Sequence, residues 1–297
     1  MRDHTRQLLE EIGLQLDQNI FPMVRNGGLV MPGHPVIPSN PPGKEKYDAK
    51  ERKRRSATEP RTRAVGWERP SGGRGTAGGS PGETTPLIGP VVVRGYPEAL
   101  SPVCEAYPGT LIWEQEGGFW MYSESTLLPG LDWSAAFLTG VSTRALQVKG
   151  WGFRYHKAIG YQWIGPRHTN FPDGSICAYE PTDGTWGFGG SLVELLDIYT
   201  LWALRHLHCD TFGRWPGPQS VRQAYERMLE FADDDRCGCG TSLRRYADCC
   251  KAADFRKDRI AEAVRFCCFS RWSLRSAPQA ITRFLLTRVP PPLDDLI

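Results

Sequence analysis

The sequence predicts an α+β fold, and three of its features support that class. Short apolar runs bounded by Gly, Pro or Ser recur between residues 91 and 148, which is typical of strands joined by tight turns. A long amphipathic segment at residues 191–208 predicts a helix after them. Four cysteines in two close pairs follow towards the C-terminus. We therefore expect an antiparallel meander with flanking helices, and then a small cysteine-rich segment with a helical tail.

The first 90 residues divide into two parts. Residues 1–25 contain a predicted amphipathic helix, with Leu8, Leu9, Ile12 and Leu16 on one face and Gly13 weakening it slightly. Residues 26–90 are about one third Gly and Pro, a composition typical of a disordered linker. The folded regions are then expected at residues 91–233 and 234–297.

Charge and cysteine content limit the function classes. The chain has a net charge of +3, but residues 44–74 alone carry +6, so the basic character belongs to the linker. This argues against a nucleic-acid-binding face on the folded part. No apolar run is long enough to span a membrane, and no signal peptide opens the chain. Nine cysteines in such a chain predict thiols used for a metal or for catalysis in the cytoplasm.

The predicted elements follow in order. Apolar runs at residues 111–113, 119–122 and 145–148 indicate strands, Glu116-Gly117-Gly118 indicates a hairpin turn, and residues 151–163 add a strand. Ser191 and Glu194 form a capping box that opens the long helix, and Pro218 is placed to start a second one. His206 and His208 are expected to be cations at the end of the long helix.

A cysteine lies in an irregular loop between the strands and the long helix. Cys177 follows an Asp-Gly turn, and His168 and Asn170 lie a few positions upstream. Such a thiol can act as a nucleophile, and an amide near it can stabilise an oxyanion. Most cysteines are inert and buried, and that alternative stays open for Cys177 considered alone.

This loop closely resembles the active-site segment of ubiquitin-conjugating enzymes. In that family a His-Pro-Asn triplet precedes an Asn-Gly-x-Ile-Cys run, and a tryptophan leads into the next helix. The corresponding residues here are His168-Thr169-Asn170, Asp173-Gly174-Ser175-Ile176-Cys177 and Trp186. Thr169 replaces the family proline, which should loosen the turn. The Phe-Gly-Arg-Trp-Pro-Gly stretch at residues 212–217 is similar to the prokaryotic branch found in antiphage and ubiquitin-like conjugation operons.

The resemblance implies a thioester chemistry. Cys177 would take the C-terminus of a ubiquitin-like protein from an activating-type enzyme and pass it to an amine. Asn170 would stabilise the oxyanion or hold the loop, His168 would brace the backbone, and Asp183 would lower the pKa of the incoming amine. The prokaryotic branch implies an acceptor such as a nucleotidyltransferase, in antiphage defence.

The cysteine pairs predict a metal site. Cys237, Cys239, Cys249 and Cys250 supply four soft ligands, which suit a closed, structural Zn²⁺ site. The segment resembles a SEC-C type knuckle with one extra residue between the pairs, and four free thiols are the alternative. Cys267 and Cys268 lie on an apolar stretch and are expected in the core.

Two other functions remain open on the sequence. The chain could be a noncatalytic adaptor with a ubiquitin-conjugating-like fold, whose knuckle docks onto protein or nucleic acid. It could also be a cysteine hydrolase that uses Cys177 and His168. In that case the base would lie in the same loop as the nucleophile, whereas such pairs usually come from separate elements.

Overall fold

The computed structural model describes residues 2–18, 23–25, 28–30, 96, 100–127, 134–156, 160–179, 184–240, 244–273 and 275–295. All of these belong to one compact unit formed by Met1–Gly33 and Thr84–Ile297. Of the predicted linker, only residues 28–30 are described, and they form a strand instead of linker. The remainder of the linker and Asp183 lie outside the described residues, and the predicted domain boundaries stay predictions.

The centre of the fold is an antiparallel meander, as predicted. Its strands run in chain order: β3 (Leu111–Gln115), β4 (Gly118–Thr126), β5 (Ser134–Ser142), β6 (Gln147–His156) and β7 (Gly160–Trp163). A short hairpin of β1 (Met23–Arg25) and β2 (Gly28–Val30) joins the same sheet where Gly28 pairs with Thr126 of β4. The predicted hairpin turn between β3 and β4 is present, with Gly117 in the left-handed region at φ 81°. The α+β class is therefore confirmed.

Helices surround the sheet. In chain order they are α1 (Arg2–Asp17), α2 (Ser101–Ala106), α3 (Leu192–Phe212), α4 (Ala224–Glu230), α5 (Lys251–Asp254), α6 (Arg259–Phe269) and α7 (Gln279–Thr287). The long helix α3 begins as predicted, because the Ser191 side chain accepts a hydrogen bond from the Glu194 amide at 3.4 Å. The prediction that Pro218 starts the next helix is wrong. Helix α4 begins at Ala224, and the preceding chain is held by a bond from the Val221 amide to the Gly238 carbonyl at 2.8 Å.

Both faces of the sheet are buried. Alternate side chains of β3 and β4 point to opposite sides, so Phe119 and Met121 pack with α1, α2 and α3. Trp113 and Trp120 belong to a second cluster with Phe284 of α7. A strand buried on both sides needs apolar residues at every position, which explains the uninterrupted Phe-Trp-Met-Tyr run in β4.

Two glycines of β6 bring α3 close to the sheet. A Cβ atom on Gly150 would lie 2.5 Å from the Tyr199 ring, and one on Gly152 would lie 2.6 Å from Trp202. The carbonyl of Gly150 also accepts a hydrogen bond from the Ile176 amide at 2.7 Å. Strand β6 therefore anchors both the long helix and the end of the cysteine loop.

Helix α1 packs against the C-terminal half of α3. Its buried residues Leu9, Ile12 and Leu16 lie in the core. Gly13 is needed there, because a Cβ atom at this position would lie 2.2 Å from Nε2 of His208. The expectation that His206 and His208 are helix-terminal cations is wrong: burial lowers the pKa of His208 to about 4 and holds that of His206 well below its usual value.

Helix α6 is less buried than the sequence indicated. Cys268 is exposed, and Val264 and Phe269 are about half exposed, so the prediction that Cys267 and Cys268 lie in the core is wrong. The apolar stretch belongs to an amphipathic helix that covers the fold with one face only. Within the described part of the chain, none of the helices combines the length and apolar character that a membrane span requires.

Candidate thiol site and metal centre

The loop before Cys177 is closed by backbone hydrogen bonds. Thr169 and Ile176 form an isolated antiparallel bridge, and the Asn170 amide donates to the Ser175 carbonyl at 2.7 Å. The Thr169 hydroxyl donates to the Pro166 carbonyl at 2.5 Å. The expectation that threonine in place of proline loosens this turn is therefore not met, because the hydroxyl supplies a bond that proline could not make.

The Asn170 side chain spans this loop. Its Nδ2 donates to Oγ of Ser175 at 3.2 Å and to the Ile176 carbonyl at 3.1 Å. An amide nitrogen has two protons, and both are used here. Of the two roles expected for Asn170, the geometry favours holding the loop over stabilising an oxyanion.

In the thioester chemistry that the resemblance implies, replacing Asn170 with alanine is expected to slow thioester formation and thioester discharge by similar factors. The loss of two loop bonds displaces Cys177 in both half-reactions, since misplacement of a reacting atom lowers every step it takes part in. Single-turnover assays of loading and discharge measure the two rates. A selective slowing of discharge by about 100-fold, the usual effect of losing one oxyanion donor, would instead support the oxyanion role.

His168 is held rigidly by its backbone and its ring. It has a positive φ of 49°, an unusual conformation for a residue with a side chain. Its carbonyl accepts bonds from Nε1 of Trp202 at 2.8 Å and from the Cys177 amide at 3.1 Å. The ring lies 4.1 Å, centroid to centroid, from that of Trp215. The His168 carbonyl therefore ties the backbone at Cys177 to α3, and the predicted role of His168 in the thiol site stays a prediction.

The protonation of His168 follows from its neighbour Gln219. The Gln219 amide nitrogen donates to the Arg236 carbonyl at 2.8 Å, so its Oε1 is an acceptor, lying 3.0 Å from Nε2 of His168. This assigns the proton of the neutral ring to Nε2. Burial and the charge of Arg167 lower the pKa of His168 to about 3, so the ring is neutral near pH 7 and a poor base.

Cys177 opens onto two cavities. One, of about 430 Å³, is shared with His168, Tyr179 and Arg205. The other, of about 550 Å³, is shared with Asn170 and Arg275. Cys177 itself is half-buried. The thiol therefore lines two cavities and is not fully buried in the core.

A buried ionic network, which no local sequence pattern indicated, holds the residues next to the Cys177 loop. Asp235 is fully buried, and its carboxylate accepts bonds from Arg167 at 2.8 Å, the Ala232 amide at 2.9 Å and the Trp215 amide at 2.6 Å. Arg167 also donates to Gln219 at 3.0 Å. Asp and Arg are rarely buried unless paired, and no local spacing in the sequence links positions so far apart.

The four predicted metal ligands come together. The Sγ atoms of Cys237, Cys239, Cys249 and Cys250 all lie within 4.8 Å of one another. Two of the separations, Cys239 to Cys249 and Cys249 to Cys250, are 3.8 Å. Zinc at about 2.3 Å from each sulfur of a tetrahedron requires sulfur separations of about 3.8 Å. Four closely spaced cysteines of this geometry could hold a metal ion.

Hydrogen bonds within the cysteine segment and an ion pair next to it fix the surroundings of the cluster. The Cys237 amide donates to the Arg244 carbonyl at 2.8 Å. Beyond the cluster, Asp254 forms a buried, two-point ion pair with Arg227, whose remaining nitrogen donates to the Val221 carbonyl at 2.8 Å. Burial raises the pKa values of Cys237 and Cys250, so a cation would be needed to keep these thiols deprotonated.

Comparison of the chain with protein-family models, with curated proteins and with solved structures finds no match. The geometry brings together Cys177, Asn170 and His168, and separately the four cysteines of the cluster. Asp183 lies outside the described residues. Any function must therefore be argued from the chemistry of these two sites.

Proposed function

We propose that the chain is a cysteine acyl transferase of the ubiquitin-conjugating type. Cys177 would carry the C-terminal carbonyl of a ubiquitin-like protein, or of another protein, as a thioester and transfer it to an amine. The observation that carries this proposal is the braced loop that presents Cys177 at two cavities beside a neutral histidine. A thioester suits such a carrier, because a thiolate is a good leaving group towards an amine.

The protonation state of His168 distinguishes this proposal from the hydrolase alternative. A cysteine hydrolase needs a histidine that accepts and returns a proton, with a pKa near the working pH. The pKa of His168 is about 3, and its Nε2 proton is committed to Gln219. Because this ring does not readily take up a proton, it would not activate water against an acyl intermediate. An acyl carrier benefits from that, since its thioester must survive until the amine arrives.

The test is a loading reaction with the full chain. Incubation with a candidate activating-type enzyme, its ubiquitin-like protein and ATP should give an adduct on a gel without reductant. Thiol treatment should reverse the adduct, and peptide mass spectrometry should place it on Cys177. An adduct mapped to another cysteine would contradict the proposal. The resemblance further suggests a nucleotidyltransferase as the acceptor, an antiphage role and a cytoplasmic location, and the genes beside this one would name the proteins to try.

We propose that the cysteine cluster binds Zn²⁺ in a structural role. Cys237, Cys239, Cys249 and Cys250 would hold the ion and leave no position for water, so it would supply cross-linking and no hydrolytic chemistry. The chain's own contribution is to place the ligands, through the bond from Cys237 to Arg244 and the Arg227 to Asp254 ion pair.

We expect one zinc ion for each chain purified without chelator under reducing conditions. Cys239→Ser should lower that content and loosen residues 237–250, because a small loop lacks the apolar residues to fold without its metal. Elemental analysis measures the zinc content, and hydrogen exchange measures the loosening of residues 237–250. Cys268→Ser, which changes an exposed thiol outside the cluster, is the matched control and should keep the full zinc content. Purified wild type with no bound metal would overturn the assignment.

A noncatalytic adaptor is the second candidate, and one observation favours it. The C-terminal region exposes large apolar side chains, with Ile260 78% and Trp272 71% accessible. Exposed groups of this size suit a docking surface. The loading reaction discriminates between the two functions: partner binding without any thiol-sensitive adduct would favour the adaptor.

A further inference from the structure

A buried arginine from the C-terminal segment lies at the thiol site. Arg275 precedes α7, and its side chain is only 7% exposed. Its guanidinium lies 4.1 Å from the centroid of the Phe171 ring, in the loop before Cys177. It also donates to the Pro166 carbonyl at 3.3 Å. Arg275 therefore contacts the chain both before His168 and after Asn170.

Two carboxylates fix this guanidinium in place. Arg275 forms ion pairs with Glu226 and, at 3.1 Å, with Glu230, both on α4. Its Nε atom is buried and makes no hydrogen bond. Arg275, Glu226 and Cys177 line the same cavity of about 550 Å³. A cation that lines the same cavity as a thiol favours the ionised thiolate, which is the reactive form of cysteine, and a carboxylate in that cavity opposes this effect.

We propose that Arg275 stabilises the Cys177 thiolate, so that the segment between α6 and α7 is part of the thiol site. This inference rests on the proposed role of Cys177 as the nucleophile. Neither Arg275 nor its segment belongs to the sequence pattern that identified the cysteine, and it lies about one hundred positions further along the chain.

The electrostatics of the pair agree with this assignment. Burial lowers the pKa of Arg275 to about 10, and the negative charge of Cys177 opposes that shift. Coupling between two charges is reciprocal, so a cation at Arg275 favours the charged form of Cys177. The other ionisable groups that line the same two cavities as Cys177 are His168, Tyr179 and Arg205 in the smaller one, and Arg222, Glu226 and Arg271 in the larger one.

The test measures the thiolate directly with iodoacetamide. The Cys177 thiolate attacks the methylene carbon, a C–S bond forms, the C–I bond breaks, and iodide leaves with the electron pair. Peptide mass spectrometry of the full chain gives the rate at Cys177 as a function of pH. We expect Arg275→Met to raise the midpoint of that profile by about one pH unit, which is about tenfold slower alkylation below the midpoint. Arg275→Lys, which keeps the charge, should leave the midpoint near that of the wild type.

Glu226 supplies a variant with the opposite expected sign. Glu226→Gln removes a negative charge from the cavity and should lower the midpoint, which general damage to the fold would not do. This variant keeps the inference testable if Arg275→Met fails to fold. Arg283→Met, an exposed change on α7, is the matched control and should have the wild-type profile. An unchanged midpoint in Arg275→Met, or a rise in Glu226→Gln, would overturn the inference.

The outcome is independent of acyl transfer, because no partner protein takes part. A shifted profile without any loading of Cys177 would contradict the proposed function and keep the role of Arg275. Normal loading of Cys177 with an unshifted alkylation profile would support the proposed function and contradict the role of Arg275.

Discussion

Cys177→Ala is expected to abolish the thiol-sensitive adduct completely while leaving the fold intact. No other residue of the loop offers a nucleophilic sulfur, and an alanine methyl group cannot form a thioester. The change removes one sulfur atom from a half-buried position, so the backbone bonds that close the loop remain. We expect a change in melting temperature of at most about 3 °C, which corresponds to about 1 kcal/mol for a domain of this size.

The loading assay and a thermal melt on the same preparations check both halves of this prediction. Cys268→Ala is the matched control, because it removes an exposed thiol from α6 and should keep full adduct formation. A fall of many degrees in Cys177→Ala would show that the sulfur has a packing role. An adduct that survives the substitution would place the reactive thiol elsewhere.

The elements of the fold were predictable where local chemistry decides them. The capping box of Ser191 and Glu194 marks the start of α3, and the Gly117 turn marks the hairpin between β3 and β4. The start of α4 was not predictable, because Pro218 has the local character of a helix start. The contact of Val221 with Gly238 instead keeps that stretch extended. A tertiary contact therefore overrides a local preference.

Two glycines also have packing roles that could not be predicted from the sequence around them. In the sequence, Gly13 slightly weakens a predicted helix, and Gly150 lies between two predicted strand segments. In the structure both glycines allow close packing, because His208 and Tyr199 occupy the space that a Cβ atom would need. Such close approaches join elements far apart in the chain, and hydrophobic periodicity carries no information about them.

The two candidate sites differ in how many of their residues could be predicted from the sequence. The cysteine cluster is local, since its ligands lie within fourteen residues, so spacing alone predicted their convergence. The thiol loop is also local, and its pattern indicated Cys177, His168 and Asn170. The residues that hold the thiol loop in place come from distant segments. Arg275 donates to the Pro166 carbonyl, and Asp235 pairs with Arg167. Buried charges of this kind follow from the three-dimensional packing of α4, α6 and the cluster segment.

Asp235→Ala is expected to cause the largest loss of stability among these variants. It leaves the Arg167 guanidinium, whose side chain is 10% exposed, without its carboxylate. It also leaves the amides of Trp215 and Ala232 without an acceptor. Removing one partner of a buried ion pair typically costs about 3–5 kcal/mol, because the remaining charge stays buried.

Urea denaturation of the full chain measures this cost, and Asp233→Ala provides a matched control two residues away. Asp233 is exposed and pairs with a half-exposed lysine, Lys251, so its removal should cost at most about 1 kcal/mol. Because Arg167 precedes His168, Asp235→Ala should also slow alkylation of Cys177 under conditions where the variant remains folded. Equal losses of stability in the two variants would show that the buried pair does not hold the fold together. A large loss with unchanged alkylation would confine the network to a structural role, separate from the thiol loop.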